Sequence, residues 1–186
     1  MKRTLIAAAL LIAASAAQAT TTAPMSAPVM VGGAAMLANR DIVDNAVNSK
    51  DHTTLVAAVK AAGLVDTLKQ PGPFTVFAPT NAAFGMLPAG TVDTLLKPEN
   101  KQKLSQVLTY HVVAGRINAA DLQQRIMAGG GKAMLDTVAG GKLVATMAGK
   151  DILVTDAAGR GSRVTIPNVN QSNGVIHVVD SVLLPG

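Results

Sequence analysis

The chain has 186 residues, of which 49% are hydrophobic, and its formal net charge is +5 at neutral pH. It contains no cysteine, so disulfides and thiol catalysis are excluded. Its aromatic residues are one tyrosine and three phenylalanines, and it has no tryptophan. Few rings are available to stack on nucleic-acid bases or sugars, and the basic residues are scattered over the sequence, so a nucleic-acid partner is not expected.

The first 19 residues are predicted to be a secretory signal peptide. Lys2 and Arg3 precede an apolar run over residues 5–14, and Ala17-Gln18-Ala19 forms a small-residue cleavage site. The run is too short to span a bilayer, and no later segment is long and apolar enough, so membrane insertion is not expected. We expect a mature chain that starts at Thr20 and is secreted to the periplasm or the extracellular medium.

Residues 20–40 are predicted to be a flexible linker, because they are rich in Ala, Thr, Pro and Met, carry almost no charge and show no sustained period. The folded domain is predicted over residues 41–186. It begins with Asp41 as the cap of a short helix, followed by a helix over residues 53–62 that ends at Gly63.

A buried strand is predicted over residues 74–78, after the break Pro71-Gly72-Pro73. Asn81 is the expected N-cap of a short helix. A further helix starts at Pro98 and carries an apolar stripe, and residues 110–113 are predicted to form a short strand.

The remaining sequence alternates in the manner of β-structure after one helix over residues 119–127. Its predicted strands cover residues 142–146, 152–155, 163–166 and 175–179, with a hairpin loop over residues 148–151. A helical half followed by a β half predicts a single α+β domain.

Two segments and a pair of residues carry a family resemblance. The segments are Thr75-Val76-Phe77-Ala78-Pro79-Thr80-Asn81-Ala82-Ala83-Phe84 and Asn173-Gly174-Val175-Ile176-His177-Val178-Val179-Asp180, with Tyr110-His111 between them. Together they resemble the signature motifs of the fasciclin (FAS1) family of secreted adhesion and interaction domains, over residues 41 to 185. The resemblance implies a β-sandwich or wedge with several short helices packed over one side. The motif residues that match are Thr75, Phe77, Pro79, Thr80, Asn81, Phe84, Asn173, Gly174, His177 and Asp180.

The Tyr110-His111 pair has two interpretations. In fasciclin domains this position, flanked by bulky aliphatic residues, has been discussed as an integrin-interacting site, and the aliphatic flanks are present here. The same flanks would bury the pair, which favours a structural role with core hydrogen bonds. The sequence has no Arg-Gly-Asp, so direct integrin binding is not expected.

No catalytic or cofactor site is predicted. The histidines lack metal-ligand spacing, and neither a G-x-S-x-G sequence nor a phosphate-binding glycine loop is present. His52 is expected to be exposed, whereas His111 and His177 are expected to make structural hydrogen bonds inside apolar strand-like segments.

The methionines allow one further hypothesis. Met25, Met30 and Met36 could serve a Cu(I) carrier, but their spacing forms no compact motif. The later methionines are expected to fill gaps in an aromatic-poor core; they are Met86, Met127, Met134 and Met147.

The expected function is that of a secreted, non-enzymatic, monomeric bacterial protein that mediates adhesion or matrix and envelope interactions. Its partner would be a protein or an envelope or matrix surface. The alternative is a carrier of an apolar small molecule, a carotenoid or a lipid, as the family resemblance implies. The excess of aliphatic over aromatic residues could leave an apolar groove between helices and sheet for it.

Overall fold

The computed structural model describes residues 27–186, so the predicted signal peptide and its cleavage site lie outside the described residues. The strands are β1 (Val29–Val31), β2 (Ala34–Met36), β3 (Phe74–Pro79), β4 (Val112–Ala114), β5 (Lys132–Asp136), β6 (Lys142–Ala148), β7 (Asp151–Thr155), β8 (Gly161–Gln171) and β9 (Gly174–Val179). The α-helices are α1 (Ile42–Ala46), α2 (Thr53–Ala62), α3 (Val65–Lys69), α4 (Asn81–Gly85), α5 (Thr91–Leu95), α6 (Lys101–Tyr110) and α7 (Ala119–Ala128). Short 3-10 helices precede α2 and α6, at Lys50–His52 and Pro98–Asn100.

A curled sheet of seven strands, in the order β4-β3-β9-β8-β7-β6-β5, forms the body of the molecule. Its strand pairs are antiparallel except for β3 and β9, which are parallel. The two ends of the sheet nearly meet, because Val113 forms a bridge with Thr137 and the Val138 amide donates to the Val112 carbonyl over 2.8 Å. The sheet therefore curls almost into a barrel.

Two hydrophobic cores lie on the two faces of this sheet. The helix-side core fills the space between the sheet and α1, α2, α4 and α6, and includes Val31, Met36, Ile42, Leu55, Val59, Val76, Ala78, Phe84, Leu104, Leu108, Ile176 and Val178. The barrel core lies inside the curl under α7 and includes Phe77, Tyr110, Ile117, Leu122, Ile126, Leu135, Leu143, Val154, Val164, Val179 and Leu183. Alternation along β3 supplies both cores, since Phe77 faces one and its neighbours Val76 and Ala78 face the other. The predicted α+β wedge with helices over one side is confirmed.

Helix boundaries follow from capping chemistry. Asp41 accepts from the Asp44 amide and starts α1, as predicted. Asn118 and Asp121 form a reciprocal capping box at the start of α7. Gly63 ends α2 with a φ of +72°, in the left-handed region that a glycine adopts without steric cost.

The predicted linker over residues 20–40 is wrong for residues 29–36, which form an antiparallel β1–β2 hairpin packed on the helix-side core. Val31 and Met36 are 3% and 4% exposed. The two-residue turn is Gly32-Gly33, and both glycines have positive φ values, as a tight primed turn requires. Two glycines between short apolar runs were the local signal for this hairpin.

Two predicted strand boundaries are also wrong. Tyr110 ends α6 and His111 caps it, so the short strand begins only at Val112. Strand β8 runs from Gly161 to Gln171, well beyond the predicted residues 163–166, and bulges where it pairs with β9. A bulge interrupts the two-residue alternation on which the prediction relied.

Burial reverses the expectations for the methionines and for His52. The methionines expected in the core are exposed, with exposed fractions of 71%, 72%, 63% and 37% for Met86, Met127, Met134 and Met147. His52, expected to be exposed, is only 3% exposed because the β1–β2 hairpin covers it.

Candidate functional site

The two signature segments lie side by side as the parallel strands β3 and β9. Phe74 pairs with Gly174 and Phe77 pairs with His177, and the register continues without a break to Pro79. The rings of Phe77 and His177 stack with centroids 5.6 Å apart. Segments separated by about a hundred residues in sequence therefore form one structural unit at the centre of the sheet.

Thr75 fastens the first segment to the loop after β4. Its hydroxyl donates to the Gly115 carbonyl over 2.6 Å and accepts from the Ile117 amide over 2.8 Å. The residue is fully buried, so both hydrogen bonds are shielded from water.

The end of the first segment organises the helical layer. The N-cap of α4 is Thr80, whose hydroxyl accepts from the Ala83 amide, and the prediction of Asn81 for this role is wrong. Asn81 instead reaches the start of α2, where its Oδ1 accepts from the Thr54 amide over 3.0 Å and its Nδ2 donates to the Lys50 carbonyl over 2.8 Å. Phe84 is 7% exposed and packs in the helix-side core.

Asn173 connects the second segment to the helical layer, as Asn81 does for the first. Its Oδ1 accepts from the Ile42 amide over 3.1 Å, and its Nδ2 donates to the Leu68 carbonyl over 2.7 Å. One side chain thereby satisfies the start of α1 and the end of α3. Beside it, Gly174 lies so close to β3 that a Cβ atom would collide with the Phe74 carbonyl oxygen, which explains the glycine.

His177 is buried and held in one tautomer. The Asn168 amide donates to Nδ1 over 3.4 Å, so Nε2 carries the proton and donates to the Ile117 carbonyl over 2.8 Å. Desolvation by burial lowers the pKa of the imidazole, and the hydrogen bond to Ile117 only partly opposes this effect. The ring is therefore neutral at pH 7.

Asp180 closes the second segment at the surface. Its Oδ1 accepts from the Arg163 amide over 2.8 Å and lies 3.2 Å from the Ser181 hydroxyl. It therefore ties the end of β9 to the start of β8.

Tyr110 and His111 are buried, with exposed fractions of 1% and 3%. The tyrosine hydroxyl lies in the barrel core, where it donates to the Lys142 carbonyl over 2.8 Å and accepts from the Ala157 amide over 3.1 Å. Neither ring reaches the surface of the folded domain.

His111 is satisfied at both nitrogens. The Leu183 amide donates to Nε2 over 2.9 Å, and Nδ1 donates to the Val107 carbonyl over 2.8 Å. Burial lowers the pKa of His111 to about 4, although the hydrogen bond to Val107 and the charge of Asp156 oppose it. A ring that uses both nitrogens inside the core has none to offer a metal or a substrate.

Some of the polar contacts that hold the domain together carry no local sequence signal. Asn45 exchanges hydrogen bonds with the Leu37 backbone and donates to Gln171, which is 126 positions away. The carboxylate of Asp156 is buried and accepts from the amides of Ala158 and Leu184. Their partners could not be read from residue spacing, because the tertiary fold brings them together.

The family profile of the Fasciclin domain matches residues 50–185. The chain belongs to the fasciclin family. Its two signature segments and its Tyr-His pair are the residues that carried the resemblance, and they form the buried centre described above. The chain is accordingly a non-enzymatic member of a family of adhesion and cell-surface proteins.

Similar proteins come from cyanobacteria and mycobacteria. The Synechocystis protein sll1483 is 48% identical over 157 residues, which cover 84% of this fasciclin chain and 79% of that protein. The immunogenic protein MPB70 of Mycobacterium bovis is 37% identical over 145 residues, 75% of this chain and 66% of that protein. The cell surface glycolipoprotein MPB83 of Mycobacterium bovis is 32% identical over 163 residues, 85% of this chain and 66% of that protein.

The fold is also similar to part of a solved FAS1 domain pair from the insect cell adhesion molecule fasciclin I. The TM-score is 0.69 at 17% sequence identity, over 78% of this chain and 51% of that chain, so this chain spans about half of the pair. Within residues 27–186 no helix is long and apolar enough to cross a membrane.

Proposed function

We propose that this fasciclin domain is exported and acts as a monomer by contacting a protein, matrix or envelope surface in adhesion. The signal-peptide pattern over residues 1–19 supports export to the periplasm or beyond. The names of its relatives support a surface role, since one is a cell surface glycolipoprotein and the solved neighbour is a cell adhesion molecule.

The burial of the signature residues is the observation on which the proposal rests. With Tyr110, His111 and His177 enclosed, a partner meets the faces of the domain that carry exposed apolar side chains. On the helical side, Val47 and Met86 are 50% and 71% exposed. On the sheet, Met134 is 63% exposed, and its neighbours Ala133 and Leu135 point into the barrel core.

Binding of the purified protein to envelope fractions tests the proposal. The labelled protein is sedimented with cell-wall and membrane material, and saturable binding is expected. Met86→Glu and Met134→Glu each place a charge on one of the two faces without touching a core. One of them is expected to reduce binding at least tenfold while the urea midpoint stays unchanged, which identifies the contact face.

A matched control is Lys97→Gln, which lowers the net charge by one unit, as each methionine variant does, at another exposed position and should leave binding unchanged. Binding that is unsaturable, or that falls equally for all three variants, would show only nonspecific electrostatic adsorption and would contradict the proposal.

The second candidate, a carrier of an apolar molecule such as a carotenoid or lipid, is supported by a cavity in the helix-side core. It has a volume of about 40 Å³, and apolar residues of α1, α2 and α3 line it above β3 and β4. Two of the residues that line it, Val56 and Lys60, are partly or fully exposed at the surface. This volume holds a small group rather than a whole lipid, so loading would require the helices to move apart.

Organic extraction of the natively produced protein tests the carrier. Ala46 lines the cavity, so Ala46→Phe should fill it. A stoichiometric apolar compound in the extract of the native protein that is lost in this variant would favour the carrier function. Extracts that match those of a blank preparation would leave adhesion as the function.

A further inference from the structure

The β1–β2 hairpin lies over a buried histidine. Val31 and Met36 from the hairpin, together with His52, form part of the wall of a second small cavity of about 20 Å³. The other wall residues are all apolar and come from α1, α2 and the sheet; they are Ile42, Ala46, Leu55, Val76, Ala78, Val169, Ile176 and Val178. The cavity is large enough for about one water molecule.

Only one of the two ring nitrogens of His52 has a hydrogen-bond partner. Its Nδ1 lies 2.9 Å from the Ser49 hydroxyl, and its Nε2 is the one buried side-chain nitrogen or oxygen without a hydrogen-bond partner within residues 27–186. A buried polar atom without a partner is costly, and a charge there would cost more. Any movement that admits water to His52 would remove this cost.

The hairpin is fastened mainly by apolar contact. The hydrogen bond from the Lys50 amide to the Gly32 carbonyl is long, at 3.3 Å, and is the single hydrogen bond found between residues 29–36 and the rest of the described chain. The turn also rests on the partner of His52, since a Cβ atom at Gly32 would lie 2.5 Å from the Ser49 hydroxyl oxygen. The hairpin therefore meets the histidine both through its turn and through its buried side chains.

We propose that the hairpin is an acid-released strap: protonation of His52 detaches residues 29–36 and uncovers the apolar surface beneath them. With the strap closed, the charged ring would face the apolar cavity. With the strap open, water would solvate the charged ring. This device is independent of the identity of any adhesion partner.

Burial keeps the ring of His52 neutral while the strap is closed, because desolvation lowers the pKa of the imidazole. The Ala78 carbonyl, which makes no hydrogen bond of normal geometry to Nε2, and the Asp51 carboxylate only partly oppose this effect. The hairpin contributes no ionisable side chain, and α1, β3, β8 and β9 contribute only apolar residues to the cavity. The charged side chains on the adjoining elements are exposed at the surface; they are Asp44, Lys50, Asp51 and Lys60. Below pH 6.5 the ratio of open to closed strap should rise by up to tenfold per pH unit, until the closed form also binds the proton.

Met36 is a natural probe of the strap. With the methyl groups of methionine and leucine labelled by ¹³C, the Met36 resonance should differ from that of exposed Met30 at pH 7.5. Between pH 6.5 and 4.5 it is expected to move toward the Met30 position, while the Leu143 methyls in the barrel core keep their native shifts. A Met36 signal that changes only together with Leu143 would mean global unfolding and would overturn the proposal.

Variants separate His52 from the other histidines. His52→Gln cannot be protonated, so the acid response of Met36 should disappear, whereas the neighbouring control Lys50→Gln should respond like the native protein. If His52→Gln does not fold, two variants that retain the ring decide the matter. Asp51→Asn should shift the midpoint of the Met36 pH transition to lower pH. Val31→Ala, which weakens the packing of the strap, should shift this midpoint to higher pH. A native response in His52→Gln, or unchanged midpoints in both other variants, would overturn the proposal.

Discussion

At the scale of single residues, several members of the family signature act through hydrogen bonds within the fold. Thr75, Asn173 and His177 each join segments that are far apart in sequence, and each uses both of its hydrogen-bonding sites within the protein. A buried donor or acceptor that loses its partner costs about 1–3 kcal/mol. Such residues tolerate few replacements, because no other side chain of the same size offers the same atoms in the same positions.

His111→Ala should lower the free energy of unfolding by about 1–3 kcal/mol, because it leaves the Leu183 amide and the Val107 carbonyl without their partner. Urea unfolding at pH 7.5 measures the change. The control Met134→Ala, at an exposed position, should change stability by less than about 0.5 kcal/mol. If His111→Ala left the urea midpoint unchanged but abolished envelope binding, the pair would be a contact site.

The stability of the domain should fall as the pH drops from 6.5 toward 4. The unfolded chain, with an ordinary histidine pKa near 6.5, binds more protons in this window than the folded protein, in which the pKa of His111 is about 4. The stabilising contribution of neutral His111 is fully present above pH 6.5 and decreases by about 3 kcal/mol by pH 4.

Urea unfolding at half-unit pH steps measures this dependence. In His111→Leu the slope should be smaller by about 1.4 kcal/mol per pH unit, the value for one proton. An identical slope in the variant would assign the acid sensitivity to other groups.

At the scale of elements, the β1–β2 hairpin allows a matched comparison of two methionines. Met36 is 4% exposed and Met30 is 58% exposed, in adjacent strands of the same hairpin. Met36→Ala should cost about 2–5 kcal/mol, because it leaves a cavity in the helix-side core, and Met30→Ala less than about 0.5 kcal/mol. Urea unfolding measures both, and equal effects would show that the hairpin does not pack on the core in solution.

The parallel pair β3–β9 depends on one glycine. Gly174→Ala should cost about 3 kcal/mol or more, because the added Cβ would collide with the Phe74 carbonyl oxygen and push the two signature strands apart. Gly85→Ala is the matched control, since no atom lies within 4 Å of its Cβ position and alanine favours the helix. Thermal unfolding measures both, and a Gly174→Ala protein as stable as the control would contradict this account of the strand contact.

At the scale of the whole molecule, export and processing are open to direct measurement. The secreted protein should begin at Thr20, because Ala17 and Ala19 occupy the small-residue positions before the predicted cleavage site. N-terminal sequencing of protein from the culture medium and periplasm measures this. Recovery of protein that retains Lys2 and Arg3 would contradict secretion by cleavage of this segment.

The sequence by itself determined the class of the fold and the family. Neighbouring residues were enough to predict the caps at Asp41 and Gly63, strand β3 and the hairpin loop between β6 and β7. Caps, turns and alternation depend on residues that are close together in the sequence. The signature segments were likewise continuous in the sequence, so their resemblance to fasciclin domains could be recognised without a structure.

Only the tertiary structure decided which side chains are covered. The exposed methionines, the buried His52 and the packed hairpin all depend on neighbours that are distant in the sequence or on short strands without a sustained pattern. The parallel pairing of β3 with β9 also joins residues about a hundred positions apart. Burial is a property of the assembled surface rather than of a residue type, and for that reason composition and spacing alone assigned these positions incorrectly.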